Sequence, residues 1–558
     1  MTPEATDRSC VSRSKRVSVR IAGMSTWDAP EELSPRERRQ EQRNHLHREE
    51  RSVQLIRAGI VGIAAGLLAV LYQVSVTRVE SIGRIAASYF HGWSWQGECF
   101  FVLLTGLFGA AISAMIGRYA PESGGSGIPH IKAALLHLRT IKPIRLIVAK
   151  FLGGLGALMI GMSMGREGPT VQMGASVGKL VGDVLRVPKR SRDSLLAAGA
   201  GAGLAAAFNA PLAGFLFVME ELKREMSAIT YGSALVASVC AVAVTRYLMG
   251  QHPSFLLTSP GGPPLRVLPQ VAVLGVVAGI AGVLFNKFLV GILEVRRKLR
   301  IPRWLMGLVV GSCSGLALIF WPPITGVGHN LVESVLSGSL GAPHLFLFVI
   351  LLFAGKFVLT VGSYGTGLPG GIFAPILALG SLLGLAYGII VHQVIPQTPF
   401  SPAGFATIGM TGMLAASVRA PLTGVVLIVE MTGEYSLLYS LLVGAFVADL
   451  VAGALRDQPI YEALMERDLK LSGAQVSPDE EPILVEVLVE PRSTMDGRRV
   501  KDLHLPPGAI LATLERGSRH VVPGGSTVLR AGDMVTMMIE GDKPDLSLFV
   551  HEASKSPS

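Results

Sequence analysis

Gly165-Arg-Glu-Gly-Pro169 and Gly371-Ile-Phe-Ala-Pro375 lie 206 residues apart, and the match continues around them. At that same offset Lys150-Phe151 pairs with Lys356-Phe357. Gly161, Gly174, Gly178 and Gly182 pair with Gly367, Gly380, Gly384 and Gly388. After four residues of slippage, at offset 210, Gly199, Leu204 to Ala206, Ala210-Pro-Leu212, Gly214 and Glu220 pair with Gly409, Leu414 to Ala416, Ala420-Pro-Leu422, Gly424 and Glu430. Chance explains scattered Gly and Ala in apolar sequence. It does not explain Lys, Phe, Pro and Glu recurring in order. Two homologous halves with apolar segments broken at corresponding positions point to a transporter architecture whose site lies at the repeat interface.

Composition places that repeat in a bilayer. The chain has 558 residues and a net charge of +10, but only 16% of its residues are charged, against roughly 25% in soluble proteins. Residues 58–456 hold 41 charges in 399 positions, about a tenth. Mean hydropathy is +0.48. A soluble domain of that size with so few charges is excluded, and the expected class is an all-α polytopic membrane protein. Apolar segments are expected at about 53–79, 98–117, 146–164, 169–185, 194–219, 229–249, 267–295, 304–321, 344–363, 372–395, 404–431 and 436–455, several near the ~20 residues of a straight span. Basic connections at Arg139 to Lys150, Arg186 to Arg192 and Arg296 to Arg303 read as cytoplasmic, matching an Arg-rich N-terminal arm. The excess base sits between apolar spans, so nucleic acid is not an expected partner. Cys10, Cys99, Cys240 and Cys313 have neither metal nor disulfide spacing. No secretory signal precedes the first apolar run, and Met24 is an alternative start. The expected organisation is a partly disordered cytoplasmic arm over 1–52, a transmembrane domain over 53–470, a linker over 471–480, a small α/β domain over 481–550 and a disordered tail over 551–558.

Three Gly/Pro breaks carry the chemistry: Gly125-Ser126-Gly127-Ile-Pro129, Gly165-Arg-Glu167-Gly168-Pro169 and Gly371-Ile372-Phe373-Ala-Pro375. Each precedes an apolar helical run, with Pro suited to a first helical turn. Glycine permits close backbone approach, and the first amides of each helix have no intrahelical acceptor. Three helix N-termini converging inside a membrane would offer N–H donors and positive dipole ends to a dehydrated anion. No Lys or Arg need touch the ion, so it can still leave. Glu167 is an ionisable residue inside such a break, which is costly without a task. Deprotonated, it can occupy an anion site; protonated, it must vacate it. An ion pair with Arg166 is the structural alternative, weakened because adjacent helical residues point apart.

These motifs, with Phe208-Asn-Ala-Pro-Leu-Ala-Gly214 and Glu220-Glu221, resemble the CLC family of chloride channels and chloride/proton antiporters over residues 53–470. The resemblance implies the CLC fold: tilted helices of uneven length, an inverted repeat, and a homodimer with one pore per subunit. It implies a central chloride held by the hydroxyls of Ser126 and Tyr461 and the amides of Ile372 and Phe373. Tyr461 is carried over from Gln458-Pro-Ile-Tyr461 after the last apolar span. His130 stands where an acidic residue is common in relatives. Glu220 recurs as Glu430, which suggests a structural role in both halves, whereas Glu221 is matched by Met431. By resemblance, Glu221 is the internal proton-transfer glutamate of CLC antiporters, and a solvated helix end is its bland alternative. Lys150, Lys356 and Arg419 are expected to be structural or field-setting.

Strands are expected at Pro482 to Val489, Ala509 to Glu515 and Met534 to Glu540, and this tail resembles TrkA-C (RCK-C) domains. It lacks a Gly-rich phosphate loop, and either an unidentified small ligand or a dimerisation role fits it. The expected protein is a chloride/proton antiporter of the plasma membrane (the cell inner membrane if bacterial), with both termini cytoplasmic. It needs no metal or cofactor, and no nucleophile–base pair in the spans suggests an enzyme. A passive, voltage- or pH-gated chloride channel on the same fold is the alternative. A sensor with a vestigial pore is disfavoured by the intact motifs.

Overall fold

The computed structural model describes residues 35–539 apart from 94, 224–227, 252, 256, 258–260, 342–343, 472–482, 504, 506–508 and 518. The disorder expected for residues 1–34 of the arm and for the 551–558 tail, and most of the 471–480 linker, lie outside the described residues. The chain divides into two units, Met1–Met465 and Glu466–Ser558.

The first unit is helical and runs twice through one order. The first pass is α1 (Pro35–His91), α2 (Trp95–Tyr119), α3 (Ile128–Leu135), α4 (Pro143–Met159), α5 (Glu167–Val184), α6 (Lys189–Phe208), α7 (Pro211–Phe217) and α8 (Ala228–Met249). The second is α9 (Leu268–Lys298), α10 (Arg303–Phe320), α11 (His329–Leu336), α12 (Leu345–Gly365), α13 (Phe373–Val394), α14 (Pro402–Val418), α15 (Pro421–Thr432) and α16 (Leu438–Ala454), followed by α17 (Ile460–Leu471). Among the described residues, eight helices are long and apolar enough to cross a membrane: α1, α2, α8, α9, α10, α12, α13 and α16. α14 is shorter and buried on every side from Ala403 to Val418, as a helix lacking a polar face must be.

The repeat glycines explain the packing. α5 crosses α6, and α13 crosses α14, in backbone contact. A Cβ on Gly174 would overlap the Gly199 carbonyl, and one on Gly380 the Gly409 carbonyl. Small residues four apart on each helix let membrane helices approach this closely, where lipid removes the hydrophobic drive.

Two of the expected apolar segments, 194–219 and 404–431, are each two helices. Pro211 and Pro421 open α7 and α15, because proline cannot continue α6 or α14 but suits a first turn. The residues closing the preceding helices, Asn209 and Arg419, both adopt left-handed conformations (φ 58° and 66°). Asn visits that region readily. Arg419 is held there by its guanidinium, which donates to Asp449 Oδ1 at 2.8 Å and to the Asp449 carbonyl. Helix α11 was not expected at all, since its eight residues include His329, Asn330 and Glu333.

The second unit contains an antiparallel sheet in the order β1 (Ile483–Leu488), β4 (Met534–Ile539), β2 (Ala509–Arg516) and β3 (Arg519–Val521). The three expected strands are present, and β3 is an added one across the Arg516-Gly517 hairpin. After α17, the only helical piece among the described residues is the 3-10 turn Val500–Asp502. Val487, Leu514, Leu529, Val535 and Met537 form the core. Beside it the buried Asp533 carboxylate accepts from Arg516 Nε at 2.7 Å and Nη2 at 2.6 Å, and from the Arg530 amide at 2.8 Å. Burial alone would raise this carboxyl; the Arg516 and Arg530 donors outweigh it and hold it below the usual carboxylate range. Its contribution is therefore complete above the ordinary carboxylate value, about 3.9, and is lost as pH falls through the lower folded value. Asp533→Asn should speed amide hydrogen exchange of Leu514 and Val535 at pH 7 by about 5- to 150-fold, the range for losing a charge-assisted bond worth about 1–3 kcal/mol. Unchanged exchange at those amides would remove the pair from the stability of the sheet.

Candidate anion and proton site

The three Gly/Pro breaks meet. Gly165 and Gly371 exchange both backbone hydrogen bonds at 2.7 Å. The Gly125 amide donates to the Leu368 carbonyl and the Gly370 amide to the Gly125 carbonyl, each at 3.0 Å. Gly168 lies at the centre: a Cβ there would stand 2.8 Å from the Gly371 Cα, 2.8 Å from the Ser126 carbonyl and 3.0 Å from Ser126 Oγ. The first motif turns through Gly125 and Gly127 at φ 61° and 84°, and a Cβ on Gly127 would overlap the Gln172 side chain. Pro129, Pro169 and Pro375 sit in the first turns of α3, α5 and α13. α5 and α13 thus start next to each other, with Glu167-Gly168 and Phe373-Ala374 supplying first-turn amides that have no intrahelical acceptor.

Two hydroxyls close this centre. Ser126 and Tyr461 are fully buried, and neither oxygen has a hydrogen bond of ordinary geometry within the protein. They lie near enough for Ser126 to act on the Tyr461 hydroxyl, whose other electrostatic neighbours are Tyr364, Glu221 and Glu167. Ile372 caps α13 and Phe373 opens it, both buried. Two buried O–H donors beside first-turn amides that have no intrahelical acceptor form a donor-rich pocket that calls for an acceptor.

Glu167 occupies the first position of α5 and is 1% exposed. Its carboxylate is held by its own backbone amide and by that of Ala374. Arg166 Nε stands 4.0 Å from Oε1, the outer limit of an ion pair, while Arg166 Nη2 reaches the Ala207 carbonyl at 3.5 Å. The Arg166 guanidinium and the two amides thus act on the same carboxylate.

The paired glutamates separate by role. Glu220 accepts from the Leu422 amide at 3.1 Å, and from the Thr423 amide and hydroxyl at 2.7 Å each. Glu430 accepts from the Leu212 and Ala213 amides at 3.1 and 2.9 Å. Each caps the N-terminus of the other half's short helix, α15 or α7, and thereby stitches the repeats together. Glu221 instead turns inward on the π-helical turn Val218–Lys223 and is fully buried. A solvated helix end is ruled out. Its Oε1 accepts from Lys132 Nζ at 2.8 Å.

The voltage gated chloride channel family model matches residues 108–453, and the TrkA-C domain model matches residues 484–543. The chain is 40% identical over 429 residues to the H(+)/Cl(-) exchange transporter ClcA of Vibrio cholerae serotype O1 (strain M66-2), covering 74% of this chain and 88% of that one. It belongs to the CLC family. The ClcA protein of Cronobacter sakazakii (strain ATCC BAA-894) is 37% identical over 438 residues, covering 75% of this chain and 91% of that one. A crystal structure of a slow cyanobacterial Cl-/H+ antiporter superposes with a TM-score of 0.71 at 35% identity, covering 75% of this chain and 98% of that one. The fold is therefore the CLC fold, with a TrkA-C domain appended, in a multi-pass membrane protein.

This CLC chain holds its breaks in place with the repeated lysines. Lys150 Nζ donates to the carbonyls of Ser123 and Gly125 at 3.0 and 2.6 Å, fixing the loop into α3. Lys356 Nζ reaches the carbonyls of Ile324 and Gly326 at 3.3 and 3.5 Å and Ser163 Oγ at 3.1 Å, fixing the loop into α11. Outside Glu167 lies a small void of about 20 Å³ bordered by Arg166, Phe208, Gly328, His329 and Ala374, room for about one water. A larger cavity of about 350 Å³ adjoins the same residues, lined by Glu80, Arg84, Arg166, Asn209, His329 and Asn330. His329, Glu80 and Lys132 were not singled out from the sequence. For Lys132 the signal was present: a lone charge inside an apolar octet following a membrane break. Among the described residues no cluster of three or more His, Cys, Asp or Glu could hold a metal ion.

Proposed function

We propose that this chain is a secondary active chloride/proton antiporter. Chloride is held by the hydroxyls of Ser126 and Tyr461 and the amides of Ile372 and Phe373. Glu167 is the external gate and proton acceptor, and Glu221 is the internal proton relay. The observation that carries the reading is the position of the Tyr461 hydroxyl, which has Ser126, Glu167 and Glu221 all within electrostatic reach. One anion site is thereby flanked by two buried carboxylates that reach it from different elements.

The coupling follows from charge. Two like unit charges about 4 Å apart cost about 4 kcal/mol at an effective dielectric of 20, near a thousandfold in occupancy. A charged Glu167 and an anion therefore exclude each other from the same amides. Taking up a proton releases the carboxylate and admits chloride. A channel would need only this gate; Glu221, fully buried on the turn Val218–Lys223, adds the second ionisable group that an antiporter requires.

A homodimer in the plasma membrane, or the cell inner membrane if bacterial, with both termini cytoplasmic, completes the reading. The TrkA-C unit is a regulatory attachment, through a small ligand or through dimerisation.

Reconstituted into liposomes without a pH gradient, the protein should drive protons uphill when a chloride gradient is imposed. Chloride flux with no proton movement would replace the antiporter with the channel.

A further inference from the structure

Lys132 stands in the last turn of α3, 7% exposed, and two carboxylates share its ammonium. Nζ is 2.8 Å from Glu221 Oε1 and 3.6 Å from Glu462 Oε1. The two acids differ in access: the Glu221 side chain has none to solvent, whereas Glu462 is 26% exposed. They also differ in what they are joined to. Glu221 lies on the turn after α7; Glu462 is in the first turn of α17, directly after the site tyrosine Tyr461.

A buried carboxylate bound to a lysine is held in its charged form, which suits an ion pair and opposes a proton relay. A relay needs a way to release the cation when the proton arrives. With Glu221 protonated, Lys132 and Glu462 form a neutral pair; with Glu221 charged, the ammonium is shared and the cluster carries one net negative charge. The ammonium already leans on both partners, so the exchange needs a displacement of under an ångström. Among the described residues, the charged and titratable groups near Glu221 include Lys132 from α3, Tyr461 and Glu462 from α17, and Glu220 and Lys223 on its own turn.

We propose that Glu462 is a positioning residue that receives Lys132 whenever Glu221 takes a proton, so that protonation of the relay is felt by the turn of α17 carrying Tyr461. This rests on the assignment of Glu221 as the relay. The three groups share one ammonium, and removing Glu462 leaves Lys132 to Glu221 alone.

The test is chloride-driven proton uptake by the full-length protein in liposomes, measured across internal pH at fixed external pH. Glu462→Gln should move the internal-pH midpoint down by about one unit, the low end of the effect of an unshared opposite charge on a carboxylate. Glu462→Asp should restore it, which a purely structural role would not require. Lys132→Met should move the midpoint the other way, because burial then acts on Glu221 without the cation. Midpoints in Glu462→Gln and Lys132→Met that match the unmodified protein would overturn the proposal. Proton uptake surviving in Glu221→Gln would instead remove the relay on which it stands.

Discussion

Glu167→Gln is expected to keep chloride moving while proton uptake falls to background, a loss of about tenfold or more. The glutamine keeps the shape of the side chain but not the charge that competes for the amides of Glu167 and Ala374. An amide cannot take the place of an anion among N–H donors, because it lacks the charge that the helix ends favour. The site is then open to chloride at every pH. Wild-type flux should rise as external pH falls, since protonation is what vacates the site; in Glu167→Gln that rise should vanish. Chloride efflux and proton uptake from the same liposomes, followed across external pH, decide the point. Retained acid activation in the mutant would remove Glu167 as the gate.

Glu221→Gln is expected to abolish proton transport to a similar extent but to leave the acid activation intact. The outer carboxylate still titrates, so the gate still opens on protonation. What is lost is the group that passes protons between the inner side and the centre. Lys132 keeps a counter-charge in Glu462, 3.6 Å away, so the substitution does not strand a buried cation, which would cost several kcal/mol. The pair of mutants therefore separates gate from relay. Two uncoupled proteins should differ only in whether external acid still accelerates chloride. Intact proton pumping in Glu221→Gln would end the relay assignment.

Much of this site was legible along the chain. The three breaks, Glu167 within the second of them and the structural character of Glu220 and Glu430 follow from local chemistry or from the repeat, whereas Ser126, Ile372 and Phe373 came only with the family resemblance. Glu220 and Glu430 show why the repeat is informative: each accepts from the other half's helix start, so their recurrence marks an exchanged contact. Other features were hidden because hydropathy counts residues without seeing helix ends. The runs 194–219 and 404–431 read as single segments although Pro211 and Pro421 divide them. Helix α11 escaped because its loop matches that of α3 only in backbone. Gly326 and Gly328, at φ 61° and 87°, repeat Gly125 and Gly127, at 61° and 84°, but Val327 stands where the first half has Ser126.

Sequence alone determined that the chain lives in a membrane, that it is built of two related halves, and that Glu167 lies in a helix break. Each of these depends on the length of an apolar run, the spacing of glycines and prolines, or the cost of a charge away from water, and all three act over a few residues. Tertiary structure alone decided that Gly168 sits between Ser126 and Gly371, and that the repeated lysines anchor the loops into α3 and α11. It also decided that Lys132 is shared by Glu221, 89 residues away, and Glu462. Those contacts join segments that lie 25 to 89 or more residues apart in the chain, some within one half and some between the halves, and that meet only in the folded protein. An ion pair or a backbone bridge across such a junction has a range of a few ångströms and leaves no periodic trace in the chain.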